Sequence, residues 1–267
     1  MNPIENIQAH DAAGPLLECR GMSVGIGARI LVRELDLEVA PGQLLAILGP
    51  NGCGKSLSLH TFAGLRRAHG GIVRIAGRAI ERWPRRALAR ELALLPQNVE
   101  DPFPATVLET VLLGRHPHIP SWQWESHRDH AIAASALAAV GLAGYEQRDV
   151  FTLSGGERRR AALAAVLAQT PRIFLLDEPT NQLDPNHQLE ALELLRARAD
   201  DGAAVIVTLH DPNLVARFAD RVLLLGIGGG WVCGPAAGTL TADNLSALYG
   251  TRFEEVQSAG RRVFFQA

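Results

Sequence analysis

Five apolar residues, Leu44-Leu45-Ala46-Ile47-Leu48, run directly into Gly49-Pro50-Asn51-Gly52-Cys53-Gly54-Lys55-Ser56, and a helix-like stretch with Leu59, Phe62 and Ala63 on one face follows. Strand, glycine-rich turn and helix start, in that order, make the pattern G-x-x-x-x-G-K-[ST]. Its glycines let backbone N–H groups close around phosphate oxygens at a helix N-terminus. The spacing puts Lys55 on the outer phosphates and the Ser56 hydroxyl on Mg²⁺. Lys55 is also the only lysine of the chain, which otherwise uses arginine. A compact ammonium on a flexible stem fits inside a tight ring of N–H groups, where a planar guanidinium is too broad.

The remainder must build a sheet that holds this turn at its edge, and 267 residues suffice for one large core with a smaller inserted subdomain. With 47% apolar and 20% charged residues the composition is that of a folded soluble protein, and a formal charge of −2 gives no reason to expect a nucleic-acid partner. The start, Met1-Asn2-Pro3-Ile4-Glu5-Asn6, lacks the basic and apolar segments of a secretion signal, and no apolar run reaches membrane-spanning length, so the chain is expected to stay in the cytosol. Cys19, Cys53 and Cys233 are far apart and odd in number, which indicates neither a disulfide framework nor a zinc site. Cys53, at a helix N-terminus, is expected to ionise readily and to react with a maleimide.

Residues 1–15 are small and polar and read as a loose leader. Between Leu16 and Val39 the pattern predicts two strands joined at Gly25-Ile26-Gly27, and Ile72-Val73-Arg74-Ile75 predicts another. The arginine-dense stretch from Arg82 to Arg90 reads as a solvated helix face. Leu92-Ala93-Leu94-Leu95 is a strand that ends at Pro96-Gln97, and the alanine- and leucine-rich segment at about 98–169 predicts an inserted helical subdomain with Ile132, Ala136 and Val140 turned inward. Ile173–Leu176 and Val205–Val207 are buried-strand runs separated by a helix carrying Leu189, Leu192 and Leu195. Strands alternating with helices predict an α/β fold, a mainly parallel sheet with helices on both faces. The segment from Thr241 to Tyr249 reads as a helix, and 257–267 as a C-terminal tail.

Asp177-Glu178 closes a four-residue apolar strand, at the sheet edge where the phosphate turn also lies. Asp177 is placed to hold Mg²⁺, and Glu178 to take the proton of an attacking water. Leu153-Ser154-Gly155-Gly156-Glu157 opens another helix with anion-binding chemistry. One chain has no need of two such helix starts far apart; two copies arranged head-to-tail would bring one against the other.

With these motifs the sequence resembles the nucleotide-binding subunit of ABC transporters, from about Leu16 through Val256. The resemblance implies an α/β P-loop NTPase core with a mainly parallel sheet, an antiparallel β subdomain and the helical insertion, over 16–256. It assigns nucleotide binding to residues 49–56 and Leu57, to Ser154, Gly155 and Gly156 of the signature, and to Asp184 of the dimer-contact loop Asn181-Gln182-Leu183-Asp184. Ser56, Gln97 and Asp177 are the implied Mg²⁺ ligands, and Glu178, His210, Gln97 and Lys55 the implied catalytic groups. Leu57 stands where many relatives have a second hydroxyl, Arg158 where glutamine is common, and Ile26 at the position of the aromatic residue that stacks on adenine.

Within the family, Leu113-Gly114-Arg115-His116-Pro117-His118, Trp122 and Leu240-Thr241-Ala242-Asp243-Asn244-Leu245 look like importers of iron chelates, haem and vitamin B12, with molybdate importers similar there. His116, His118, His127 and His130 read as lying against a membrane partner rather than as a metal cluster. The implied protein is an ATPase homodimer using ATP and Mg²⁺ at the cytoplasmic face of the inner membrane. It would drive a separate permease dimer, with an external or periplasmic binding protein engaged only indirectly. The alternatives are a molybdate or other-substrate importer and a soluble cassette protein acting on ribosomes or DNA; a small-molecule kinase leaves Leu153 to Glu157 without a role.

Overall fold

The structure, a computed structural model, describes residues 14–98, 104–258 and 260–267. The expected leader therefore lies almost wholly outside the described residues. In chain order the elements are β1 (Leu17–Ile26), β2 (Arg29–Val39), β3 (Leu44–Leu48), α1 (Lys55–Phe62), β4 (Gly70–Ile75), β5 (Arg78–Ala79), α2 (Arg85–Glu91), β6 (Leu92–Leu95), α3 (Val107–Leu112), α4 (His127–Ala139) and α5 (Gly155–Ala168). There follow β7 (Ile173–Leu176), α6 (Pro185–Asp200), β8 (Ala204–Thr208), α7 (Pro212–Phe218), β9 (Arg221–Leu225), β10 (Trp231–Pro235), α8 (Ala236–Thr239), α9 (Ala242–Tyr249), β11 (Phe253–Ser258) and β12 (Arg261–Gln266).

The central sheet runs β10-β9-β3-β8-β7-β6, parallel throughout except for β10 at its edge. Every residue of β3, β7 and β8 is buried, and successive residues face opposite sides. Leu44, Ala46 and Leu48 of β3 join a core with α3, α4, α5, α6 and α7, whereas Leu45 and Ile47 join a second core with Leu59 and Phe62 of α1. That second core is closed by an antiparallel sheet, β2-β1-β4-β5, through Leu17, Met22, Leu35 and Ile75. Helices thus lie on both faces as expected, and on this side α1 and Leu88 of α2 share the surface with the antiparallel subdomain that the resemblance implied. Each large apolar side chain buried there contributes about 1.5–3 kcal/mol.

Because β8 lies between β3 and β7, and β6 beside β7, the C-terminal ends of four parallel strands come side by side. The segments after them carry Lys55, His210, Asp177-Glu178 and Gln97.

Two expectations change. The arginines of 82–90 are not merely solvated: Arg85 donates to Gly64 O at 2.9 Å, and Arg86 and Arg90 both donate to Pro117 O, at 3.0 and 2.7 Å. Residues 257–267, expected as a tail, complete the hairpin β11–β12, whose Phe264 is buried in the first core. Asn213 of α7 fixes that hairpin from both sides, donating to Phe264 O at 3.1 Å and accepting from Phe264 N at 2.8 Å. Among the described residues no helix is long and apolar enough to cross a membrane.

Candidate functional site

The turn after β3 is forced by packing. A Cβ at Gly49 would lie 2.4 Å from Leu225 O, so only glycine passes beneath the neighbouring strand. Gly54, the residue before α1, has φ 110° and would press a Cβ on Val32 and Leu31, again excluding a side chain. Lys55 is buried and folds back over the turn, donating to Gly49 O at 2.8 Å and Pro50 O at 3.4 Å. Asn51, Gly52, Gly54, Lys55, Ser56 and Leu57 line a cleft of about 570 Å³ together with Gln97 and Glu178, and Ile26, Arg29 and Leu31 form its other wall.

Facing the turn, Asp177 and Glu178 are 1% and 5% exposed. Thr208, the last residue of β8, holds both: its hydroxyl donates to Asp177 Oδ1 at 2.7 Å and accepts from Glu178 N at 2.8 Å. Asp177 Oδ2 is left buried without a hydrogen-bond partner. An orphaned carboxylate oxygen is costly unless a cation or donor completes it. With the Ser56 hydroxyl and Gln97 carboxamide in the same region, the donor set is all oxygen and carries one acid, which fits Mg²⁺ bound partly through phosphates and water. Among the described residues no group of three or more His, Cys, Asp or Glu could hold a metal ion, and His118 instead bonds Gln169 O at 2.9 Å.

Glu178 has a left-handed backbone, φ 50°, and three side chains converge on its carboxylate. His210 Nε2 lies 2.6 Å from Oε1, Gln97 Nε2 donates to Oε2 at 2.9 Å, and Asn181 Nδ2 also donates to Oε2. Burial by itself would push this carboxyl up, but the three donors outweigh it and hold the group below the ordinary carboxylate range. Glu178 is therefore ionised near neutral pH. Oε1 accepts one bond and keeps a second lone pair for an incoming proton.

The signature and dimer-loop positions lie elsewhere. Ser154 caps α5, its hydroxyl accepting from Glu157 N at 3.2 Å while its backbone N–H donates to Glu157 Oε2 at 2.8 Å. Gly155 lines a second cleft of about 700 Å³ with Gln97, Asn98, Arg158, Arg159, Asn181 and Gln182. Asp184 caps α6 and accepts from His187 N at 3.0 Å. Cys53 is 2% exposed and burial pushes its thiol up, which corrects the expectation of a readily ionised cysteine.

Thr208 and Arg159 escaped sequence reading. A hydroxyl at the end of an otherwise apolar strand, two residues before His210, was the available signal for Thr208. Arg159 gave none, standing among three consecutive arginines.

A family model described as ABC transporter matches residues 32–181. The hemin import ATP-binding protein HmuV of Gloeobacter violaceus is 44% identical over 242 residues, covering 88% of this chain and 87% of that protein. The iron(3+)-hydroxamate import ATP-binding protein FhuC of Bacillus subtilis is 37% identical, covering 87% of each chain. Among solved structures, a chain from an ABC transporter described as of putative metal-chelate type, in an inward-facing conformation, superposes with a TM-score of 0.82 at 29% identity. It covers 95% of this chain and 98% of that one.

Proposed function

This chain belongs to the ABC transporter family as an ATP-binding, ATP-hydrolysing subunit, and we propose that it powers a separate membrane permease importing an iron-bearing chelate of the haem or siderophore type. The cargo assignment is supported by relatives named for hemin and iron-hydroxamate import. The subunit works as a homodimer held at the cytoplasmic face of the inner membrane by its permease.

One observation carries the chemical reading: an ionised, buried Glu178 stands beside the phosphate turn with His210 on one oxygen and Gln97 on the other. Lys55 and the backbone N–H groups of residues 51–56 grip the phosphates of ATP. Glu178 takes a proton from water as the water oxygen bonds to the γ-phosphorus and the bond to ADP breaks. His210 and Gln97 hold the carboxylate and orient that water. Ser56, Gln97 and Asp177 would hold Mg²⁺, which when bound supplies positive charge against the phosphates.

Glu178→Gln tests this. The amide keeps the shape but cannot accept the proton, so the variant should bind ATP, lose turnover by about 100-fold or more, and accumulate as a dimer in chromatography with Mg-ATP. A monomeric variant with near-native turnover would remove Glu178 from the base role.

A further inference from the structure

Arg159 lies on α5, five residues past its Ser154 cap, and is 5% exposed. Burying a guanidinium costs several kcal/mol unless its donors are satisfied. Here one terminal nitrogen, Nη1, donates to Pro96 O at 2.7 Å and Gln97 O at 3.2 Å. The other, Nη2, donates to Glu178 O at 2.9 Å and to Asp177 O. All four acceptors are main-chain carbonyls from just two segments, while Nε is left buried without a hydrogen-bond partner.

These segments are the continuations of β6 and β7. The two strands pair in register as far as Leu95 and Leu176, and the Asp177 N to Leu95 O bond of 2.8 Å comes immediately after. Beyond that bond the ladder ends, and the guanidinium bridges the chains across the next two residues. One of its acceptors is the carbonyl of Glu178, whose φ of 50° is unfavourable for any residue with a Cβ.

We propose that Arg159 is a positioning residue for ATP hydrolysis: its planar fork locks the main chain at Gln97 to that at Glu178 and so sets the Gln97 carboxamide against the Glu178 carboxylate. This rests on Glu178 as the base. Arginine is needed for its geometry, since a lysine ammonium carries the charge but cannot span two pairs of carbonyls in one plane.

The test is a cycle of Arg159→Met, Arg159→Lys, Glu178→Gln and the doubles with Glu178→Gln, with melting, fluorescent-ATP binding, steady-state kinetics and single-turnover hydrolysis of each. Misplacing a reacting group by about 1 Å costs on the order of 100-fold. Arg159→Met should therefore lower kcat by about 10- to 100-fold while KM and ATP affinity stay within about threefold. Arg159→Lys should fall between it and the native protein. Added to Glu178→Gln, either change should alter the residual single-turnover rate by less than about twofold, because the group it positions is already gone.

A folded Arg159→Met variant with kcat within about twofold of native would overturn the proposal, and so would losses that multiply in the doubles. If Arg159→Met does not fold, the lysine pair of variants decides by the same criteria. Near-native turnover of Glu178→Gln alone strikes instead at the base assignment, which separates the two failures.

Discussion

Burial changes what Cys53 can do. It sits at a helix start, where a thiolate is ordinarily favoured, yet it is 2% exposed and burial pushes its thiol up despite the opposing charge of Lys55. Maleimide should label Cys53 far more slowly than the partly exposed Cys233; peptide mapping that finds rapid Cys53 modification, suppressed by ATP, would contradict this. Ile26 is the opposite case, 59% exposed and lining the phosphate cleft with Arg29. Stacking on an aromatic ring is worth about 1–3 kcal/mol per base, and Ile26 supplies only part of it by apolar contact, while a guanidinium such as Arg29 stacks on any base. GTP should thus be hydrolysed within about tenfold of ATP, and Ile26→Tyr should tighten ATP binding by about 1 kcal/mol. Strong ATP preference with a neutral Ile26→Tyr would place adenine elsewhere. The phosphate turn, Asp177, Glu178 and His210 were legible because their chemistry is local to short motifs. Thr208 and Arg159 were not, since they act on residues 30 and 19 positions away by contacts that only the fold creates.

The helical insertion owes its seat to a buried pair that sequence pattern does not disclose. Arg115 donates to Asp129 Oδ1 at 2.9 Å and to Ala168 O at 2.7 Å, tying the end of α5 to the first turn of α4. Burial works against the Asp129 charge, but bonds from Ser126 and Arg115 outweigh it and bring the carboxyl down to about 2 from 3.8. A folded-state value below the unfolded one gives stability that is complete above about pH 4 and is lost as pH falls toward 2. Removing one partner of a buried pair costs about 3 kcal/mol, so Asp129→Ala should lower Tm at neutral pH by about 5–10 °C. The stability gap between native protein and Asp129→Asn should close between about pH 4 and 2; a gap independent of pH would show that the pair contributes nothing through charge. Helices and parallel strands here were readable from apolar runs and their spacing. The β11–β12 hairpin was not, because its exposed positions mix apolar Val256 and Phe265 with polar and charged residues, and its deep anchor, Phe264, has meaning only against α7 and the main core.

Taken as one body, the chain keeps its two anion-binding helix starts on separate clefts. The phosphate turn, Asp177, Glu178, Gln97 and His210 converge at the ends of adjacent strands, while the Ser154-Gly155-Gly156 helix start opens on a different cleft. If a second copy supplies that helix start, the symmetry of a closed dimer makes both sites composite in the same way. Lys55→Ala would then destroy the site using its own phosphate turn, and Ser154→Arg the site to which it lends its helix start. Each homodimer should be inactive. In a heterodimer of the two variants, both lesions fall in one site, and the other site combines a native Lys55 from one subunit with a native Ser154 from its partner. Equal mixing gives about half heterodimers with one intact site in two, so about a quarter of all sites should be restored. Hydrolysis in the mixture should rise well above that of either variant alone and follow heterodimer formation, tracked with differently tagged subunits. If tagged heterodimers form and turnover stays at the level of the separate variants, the head-to-tail arrangement is wrong and the Ser154 helix start serves the nucleotide of its own chain or none.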